Sequence, residues 1–521
     1  MELKKILSIA AAAAIGTAVF SSCGEKKEAN SDEQIKLTMW TYNQLNAYLD
    51  NYDKMACFQL MQEENDVDIE FIHPIVGQQD QQFSVLLASG EYPDMIVHTG
   101  WGSYPGGYTK AIKDGVILDL LPFINKEKMP ELSKWIEKNP EWLRLMKTYD
   151  GTVPVFAGFK ENININSFVG PTIRKDWLDK LGLEMPETMD EWYDVLKAFK
   201  EGDPNGNGQA DEIPFIPENE GPWIWFASAF DSSVSLMLNK EGKVVFGPTE
   251  PGFKDYLSTL HKWYAEGLVD KEYIAGDRKT VDYKMTADIG GSYFGYTGSQ
   301  MGNYMAAKKG TDYELVAAPW PKSPDGIARC GFDGMIQVAA QGVAISTQNK
   351  YIDKTIEVVD WMYGPGTIAF NYGIEGETYN IVDGEYQYTD LILNNPEGKD
   401  PIAALAPYAT PNWGVGASII LEDSYNKISR SNDSQKNAAK VWAEGDTSLL
   451  LPDLSFTEEE TDVRSTYQSD LRIFVLEYMN KVIIGTESVD SFDNFVKELK
   501  NMGSDELVKV YQAAYDRYMA G

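Results

Sequence analysis

Short stretches in which apolar and polar residues alternate, separated by helical patterns, follow the N-terminal segment of the chain. Residues 35–40 (IKLTMW) have the period of a half-buried strand, and residues 67–72 (VDIEFI) repeat it. Helices are predicted at residues 53–64 and 82–88, and a further short apolar strand at residues 92–98. Strands that alternate with helices indicate an α/β fold built on a parallel sheet.

Two helices later in the chain carry boundary signals. Thr188 and Glu191 have the spacing of a capping box, in which each side chain bonds the other residue's backbone N–H. They precede a helix predicted at residues 191–200. A helix at residues 353–363 is predicted to end at Gly364-Pro365, because glycine and proline terminate helices.

The loop after the 191–200 helix, residues 203–212 (DPNGNGQADE), places oxygen ligands at alternate positions and a glycine at the sixth. This is the spacing of an EF-hand calcium loop. Pro214 stands where an EF-hand has its bidentate glutamate, so Glu212 is expected to complete the shell. An ordinary solvated turn is the alternative, since Asp, Asn and Gly favour turns. The predicted ligands of a structural Ca²⁺ are Asp203, Asn205, Asn207, Gln209 through its backbone carbonyl, Asp211 and Glu212.

The N-terminal segment has the pattern of a secretory signal. Two lysines precede an apolar run at residues 6–20, which is short for a membrane span of ~20 residues. The two serines before Cys23 resemble a bacterial lipobox, which predicts cleavage before Cys23 and its lipidation; an ordinary signal with an incidental cysteine is the alternative. We therefore expect residues 1–23 to be a lipoprotein signal with its lipidation cysteine, residues 24–34 to be a flexible tether, and the protein to be extracytoplasmic and lipid-anchored.

Length and charge limit the classes of function. The 521 residues suffice for two domains, and the formal net charge is −33, from 46 Lys and Arg against 79 Asp and Glu. This excess disfavours nucleic acid and strongly anionic ligands, because phosphates need a basic surface; a local basic pocket would escape the argument. Three scattered histidines and the lack of a CxxC motif disfavour a zinc or histidine-based centre. Cys57 and Cys330 either pair or remain buried thiols.

Several segments together resemble a known family. They are LLASGEYPDMI at residues 86–96, Asp119-Leu120, IRKDWLDKLGL at residues 173–183 and NYGIEGETY at residues 371–379. With the lipobox and the first strand, they resemble the extracellular solute-binding proteins of ABC importers, which include maltose-binding proteins. The last two segments and the 203–212 loop resemble the branch that holds the alginate-oligosaccharide-binding proteins, in which this loop binds a structural calcium.

The resemblance covers essentially the whole mature chain. It implies an α/β, two-lobed periplasmic-binding-protein-like fold, with a ligand cleft between lobes joined by hinge crossings. The first crossing is expected at residues 151–156 and the second at residues 313–321. The implied lobes are residues 35–153 with 320–370 and residues 154–319 with 371–521.

Sugar recognition needs flat aromatic faces for the apolar patches of the rings and planar polar groups for pairs of hydroxyls. Each candidate residue can also be explained by a structural role. A tryptophan usually packs in the core of a domain. Arg174 can pair with Asp176 or Asp179, and Glu375 lies in a glycine-flanked tight turn. In the aromatic segment at residues 222–226, we expect one tryptophan to face the cleft and the other to pack inside. The predicted ligand contacts are Trp40, Trp101, Arg174, Trp223, Trp225, Tyr296, Asp333, Glu375 and Trp413.

The resemblance implies a monomeric, non-enzymatic protein that captures an oligosaccharide between closing lobes and delivers it to the permease of an ABC importer. A secreted glycoside hydrolase is the alternative; it needs two carboxylates ~5–5.5 or ~6.5–9.5 Å apart, which 79 acidic residues do not exclude. The sequence has no G-x-S-x-G, H-E-x-x-H or P-loop motif. A surface adhesin would predict repeats or a stalk. The ligand stays open: the charge favours neutral sugars, the branch binds a uronate polymer's fragments, and peptides or polyamines are further alternatives.

Overall fold

The computed structural model describes residues 34–218, 221–336, 342–410, 415–430 and 432–520. The predicted lipidation cysteine Cys23 and the predicted ligand contact Trp413 lie outside these residues, as does the predicted signal peptide. The strands are β1 Ile35–Thr41, β2 Val67–Ile72, β3 Met95–Val97, β4 Phe156–Ala157, β5 Phe159–Lys160, β6 Val169–Arg174, β7 Ile213–Ile216, β8 Leu236–Leu238, β9 Val244–Phe246, β10 Gly290–Tyr296, β11 Leu315–Ala317, β12 Gly342–Ile345, β13 Tyr379–Val382, β14 Glu385–Tyr388 and β15 Ile419–Ile420.

The helices confirm the two boundary signals. The capping box of Thr188 and Glu191 is present at the start of the seventh helix, and the eleventh ends at Tyr363, directly before Gly364. The helices are α1 Ala56–Asn65, α2 Gln79–Ser89, α3 Gly107–Lys113, α4 Pro130–Lys138, α5 Glu141–Met146, α6 Lys175–Leu181, α7 Met189–Glu201, α8 Pro251–Ala265, α9 Arg278–Thr286, α10 Asn303–Ala307, α11 Ile352–Tyr363, α12 Pro365–Tyr372, α13 Asp390–Leu393, α14 Pro401–Leu405, α15 Glu422–Ser429, α16 Asp433–Ala443, α17 Glu458–Ile483, α18 Phe492–Asn501 and α19 Ser504–Ala520.

Two sheets organise the chain. The first has the strand order β2-β1-β3-β12-β4, in which β1 pairs in parallel with β2 and β3. The second has the order β11-β6-β10-β7, and β7 and β10 are parallel. The predicted parallel pairing is therefore right at the heart of the first sheet. It is wrong for β12 and for β6, which run antiparallel to their neighbours. A β-α-β crossover makes its two strands parallel. A strand that enters the sheet from a distant part of the chain is not joined by such a crossover, so it can run antiparallel.

Each sheet has its own apolar core. The first core joins β1–β3 to α1 and α11, and Cys57 is buried in it. The second joins β6 and β10 to α7, α8 and α17, and Cys330 is buried there. The two cysteines are separate free thiols, which resolves the question left by the sequence.

The segment between α12 and α16 packs with the first core. Ala406, Val415 and Ile419 are buried in that core, and β15 pairs with β5. The sequence analysis placed residues 371–521 in the second lobe. These contacts favour assigning residues 371–421 to the first lobe, and the lobe boundaries stay a proposal. No helix of the described residues combines the length and the apolar character that a membrane crossing needs.

Candidate functional site

A groove follows one face of α17, and we call it the α17 groove. Two adjoining cavities of about 680 and 600 Å³ form it and share Leu454, Phe456, Arg464, Gln468 and Arg472. The larger cavity is lined by Trp225 and Asp333, and we call it the tryptophan end. The smaller lies between α17 and the residues around α3, and we call it the arginine end. Both volumes suit small organic ligands, which occupy sites of ~300–1,000 Å³.

Trp225 is the partly exposed tryptophan of the 222–226 segment. Residues Pro222–Phe230 form a 3₁₀-helix, in which each residue turns by ~120° and positions two apart therefore face different directions. Trp223 is buried, and its Nε1 donates to the carbonyl of Glu218 at 2.8 Å. Trp225 lines the groove instead. The structure thus buries Trp223 and leaves Trp225 as the tryptophan of this segment that lines the groove.

A row of aromatic rings extends from Trp225. Its ring lies 4.7 Å from that of Phe332, which lies 5.3 Å from Phe168. Phe168 in turn is nearly parallel to Tyr296 at 6.1 Å. Trp225, Phe168 and Tyr296 are all partly exposed. We call these four residues the aromatic row; it lies beside the start of β6 and the end of β10, and its partly exposed rings are of the kind that stack on sugars.

Asp333 follows directly on this row. Its side chain is exposed to solvent along the tryptophan end, but the surrounding protein partly desolvates it and raises the pKa of the carboxyl. A carboxylate beside an aromatic surface can accept hydrogen bonds from a pair of sugar hydroxyls. Of the polar candidates predicted from the sequence, Asp333 is the one that lines the groove.

The arginine end was missed by the sequence analysis. Arg464, Gln468 and Arg472 are spaced four residues apart, so they share one face of α17. The Arg464 guanidinium lies 4.0 Å from the ring centre of Phe456, and its Nε donates to the Tyr511 hydroxyl at 3.1 Å. The four-residue spacing of long polar side chains was the available signal, but it is equally typical of a solvated helix face.

Trp40 and Trp101 are corrections to the predicted site. Trp40 lies near the end of β1 and Trp101 follows β3, as expected, yet they are 4% and 0% exposed. Their rings pack against Phe83 of α2 at 5.7 and 5.0 Å, respectively. A helix covers this end of the sheet, so neither tryptophan offers a free face. The partly exposed Tyr108 stacks on Trp101 at 5.5 Å and lines the arginine end.

Arg174 is a second correction, because it braces the second lobe. It is 1% exposed and pairs with Asp176 and with Asp288, each at 2.6 Å. Its guanidinium also lies between the rings of Trp177 and Tyr313. All of these groups belong to the second sheet and its flanks, and the arrangement leaves Arg174 no access to a ligand in the groove.

Glu375 lies on an exposed turn before β13, where a bridge joins it to Tyr379, and it does not line the α17 groove. The tight-turn explanation from the sequence therefore fits it best. Tyr296 does not line the groove directly, but it belongs to the aromatic row. The guanidinium of Arg278 lies 5.6 Å from its ring, and partial burial raises the pKa of its hydroxyl.

The 203–212 loop has a turn held by its own side chains. The Asp203 carboxylate accepts from the backbone N–H of Asn207 and Gly208, both at 3.1 Å. The side-chain nitrogens of Asn205 and Asn207 donate to Asp211, also at 3.1 Å. These bonds hold the loop in a compact turn around the carboxylates of Asp203 and Asp211.

Glu212 is the member of this loop that tests its fit to a cation. Its Oε1 is buried and has no hydrogen-bond partner among the described residues. Burial, reinforced by the charges of Asp211 and Asp203, raises the pKa of its carboxyl. No three His, Cys, Asp or Glu side chains of the described chain form a metal-ligating group by themselves. A cation here would need the amide oxygens of Asn205 and Asn207 as well, and for a hard ion such as Ca²⁺ those are suitable ligands.

Comparison with known proteins gives a family. The profile of the bacterial extracellular solute-binding proteins matches residues 43–369. The fructooligosaccharide ABC transporter substrate-binding protein FusA of Streptococcus pneumoniae is 27% identical, over 100% of this chain and 99% of FusA. Lipoprotein LipO of Bacillus subtilis is 25% identical, over 95% of this chain and 96% of LipO.

Solved structures agree in fold. Alginate-binding protein AlgQ2, in a structure without calcium ion, is 23% identical with a TM-score of 0.67, covering 93% of this chain and 99% of AlgQ2. An EF-hand mutant of FusA in complex with fructo-nystose is 24% identical with a TM-score of 0.70, again covering 93% and 99% of the two chains. The architecture described above is therefore that of the two-lobed solute-binding proteins.

Proposed function

Because this chain belongs to the bacterial extracellular solute-binding protein family, we propose that it is the substrate-binding component of an ABC importer for oligosaccharides. Its full-length similarity to FusA, a fructooligosaccharide ABC transporter substrate-binding protein, supports a carbohydrate ligand. The observation that carries the proposal is the aromatic row beside the tryptophan end of the α17 groove. A partly exposed tryptophan, Trp225, next to a partly desolvated carboxylate, Asp333, combines stacking with hydrogen bonding.

The proposed mechanism is capture by closure. The aromatic row and α17 pack with the second core, and Tyr108 and Thr148 reach the groove from the predicted first lobe. A ligand that contacts both sides stabilises the closed arrangement over the open one by its differential affinity for the two. The closed protein then delivers the oligosaccharide to the permease. The family is one of binding proteins, and we assign the groove no catalytic step.

We further propose a structural Ca²⁺ at the 203–212 loop. The ligands would be Asp203, Asn205, Asn207, the Gln209 carbonyl, Asp211 and Glu212. The buried, unpartnered Oε1 of Glu212 supports this, and so does the likeness of the fold to a FusA form described as an EF-hand mutant. A bound cation would neutralise the carboxylates between the end of α7 and the start of β7.

The protein is expected outside the cytoplasm, in keeping with its family. We propose that lipidated Cys23 anchors it to the membrane, that residues 24–34 tether it, and that it acts as a monomer with permease subunits as partners. Its similarity to a lipoprotein, LipO, supports the anchor. Metabolic labelling with a fatty acid tests it: Cys23→Ala is expected to abolish the label.

Thermal unfolding of residues 24–521 with a panel of oligosaccharides tests the proposed function. A ligand that binds the folded state alone raises its stability by ~2.7 kcal/mol at a hundredfold excess over Kd. We expect a shift with one class of sugar, with the chain length of that sugar unchanged after incubation. Lack of a shift with any saccharide would refute an oligosaccharide ligand, and shortened chains would favour the hydrolase.

A further inference from the structure

We propose that the arginine end of the α17 groove binds the carboxylate of a uronic acid unit, so that the ligand is an acidic oligosaccharide. The inference rests on the proposed function and specifies its substrate class. It reverses the expectation from composition, which favoured a neutral sugar. The net charge of −33 describes the whole chain, whereas the ligand meets one cavity.

The lining of that cavity is basic and rich in hydroxyl groups. Among the described residues that line it, none is acidic, while Arg464 and Arg472 are both present. Most of the other lining side chains carry a hydroxyl or an amide, which suits the hydroxyls of a sugar. Those side chains are Tyr108, Thr109, Thr148, Ser455, Thr461, Ser465, Gln468 and Ser469.

Arg464 is the residue on which the inference rests, since Arg472 has an interaction of its own within the chain. Arg464 forms no salt bridge within the described part of the chain. Arg464 is partly buried in the groove, and no carboxylate of the described residues neutralises its charge. A ligand carboxylate would supply the counter-charge.

The orientation of Arg464 is already fixed. The ring of Phe456 lies 4.0 Å from its guanidinium centre, that of Tyr511 lies at 5.4 Å, and the hydrogen bond from Nε to the Tyr511 hydroxyl holds the plane. The hydrogen bonds of the described residues use Nε alone, so the two Nη groups remain for a ligand. A preorganised fork of this kind binds a carboxylate with two parallel hydrogen bonds.

In this proposal, the two ends of the groove bind different parts of the oligosaccharide. The tryptophan end offers Trp225 and Asp333 to a sugar ring, and the arginine end offers a cation among hydroxyls. Because the cavities adjoin, one oligosaccharide can span both. A uronate unit would lie over Arg464 while a neighbouring unit stacks on Trp225.

The test is titration calorimetry on residues 24–521 with calcium present. The probes are di- to tetrasaccharides of galacturonic, mannuronic, guluronic and glucuronic acid, each beside its methyl ester, which keeps the shape and removes the charge. Neutral and sulfated oligosaccharides complete the panel. The variants are Arg464→Met, Arg464→Lys as a charge-conserving change, and Lys497→Met as a matched loss of charge on exposed α18.

We expect at least one acid to bind about 10- to 100-fold more tightly than its ester. Arg464→Met should remove that preference, Arg464→Lys should retain part of it, and Lys497→Met should leave it unchanged. The melting temperature of each free variant confirms folding. Equal affinity for acids and esters, or an equal loss of both in Arg464→Met, would overturn the inference and leave the proposed function standing. Tighter binding of a sulfated sugar would overturn the carboxylate assignment, whereas no binding by any saccharide would refute the proposed function itself.

Discussion

The effect of Glu212→Gln on the stability of the protein is expected to change sign when calcium is present. Without the ion, the buried Oε1 of Glu212 has no partner and lies near the charges of Asp203 and Asp211. Glutamine keeps the shape and removes the charge, so it relieves the desolvation of the carboxylate and its repulsion by the two aspartates. We therefore expect the calcium-free variant to be more stable than the parent at pH 7, by ~1 kcal/mol.

When calcium is present, the same substitution should destabilise the protein. At a free ion concentration a thousandfold above Kd, binding contributes ~4.1 kcal/mol. If the loss of an anionic ligand weakens binding about a hundredfold, the ion remains in only tenfold excess and contributes ~1.4 kcal/mol. The variant thus loses ~2.7 kcal/mol that the parent keeps. The net effect is a destabilisation at millimolar calcium and a stabilisation in chelator.

Differential scanning calorimetry in both conditions measures these shifts, with Glu201→Gln as a matched control, because Glu201 is an exposed carboxylate at the end of α7. The pH dependence adds a check. The pKa of Glu212 is raised in the folded state, so the calcium-free parent should lose stability as pH rises through that pKa, and the variant should not. A change in stability that has the same sign in calcium and in chelator would refute calcium binding at this loop.

Three further predictions concern the groove and the second lobe. Trp225→Ala should weaken oligosaccharide binding about 30-fold in calorimetry, the effect of a ~2 kcal/mol anchor, whereas Trp223→Phe should lower the melting temperature and leave Kd unchanged. Arg174→Met should destabilise the second lobe by ~3–5 kcal/mol in denaturant unfolding, because Asp176 stays buried without its partner; a weakened Kd in the folded variant would contradict its role as a brace. Asp333→Asn should raise the melting temperature of the free protein at pH 7, and this gain should vanish as pH falls through the raised pKa of the Asp333 carboxyl. A variant that is no more stable than the parent at any pH would refute desolvation as the cause of the raised pKa.

Local patterns predicted local features well. The capping box of Thr188 and Glu191 and the end of α11 are decided by residues a few positions apart, so the sequence contains the whole signal. The aromatic segment predicted that one of Trp223 and Trp225 faces the cleft but not which one, because the direction of each side chain depends on the 3₁₀-helix. The burial of Trp40 and Trp101 depends on Phe83 of α2, a contact that no local pattern specifies.

The proposed acidic ligand departs from the neutral sugar that composition favours, because the net charge of a chain does not describe one cavity. Charges in water are screened over ~8 Å at physiological ionic strength, so most of the 79 acidic residues act on the outer surface and not on a ligand enclosed between lobes. Inside the groove, the groups in direct contact decide the interaction, and there Arg464 has no acidic partner among the described residues. The described residues thus give Arg464 no counter-charge inside the groove, and in the proposed complex the carboxylate of the ligand supplies it.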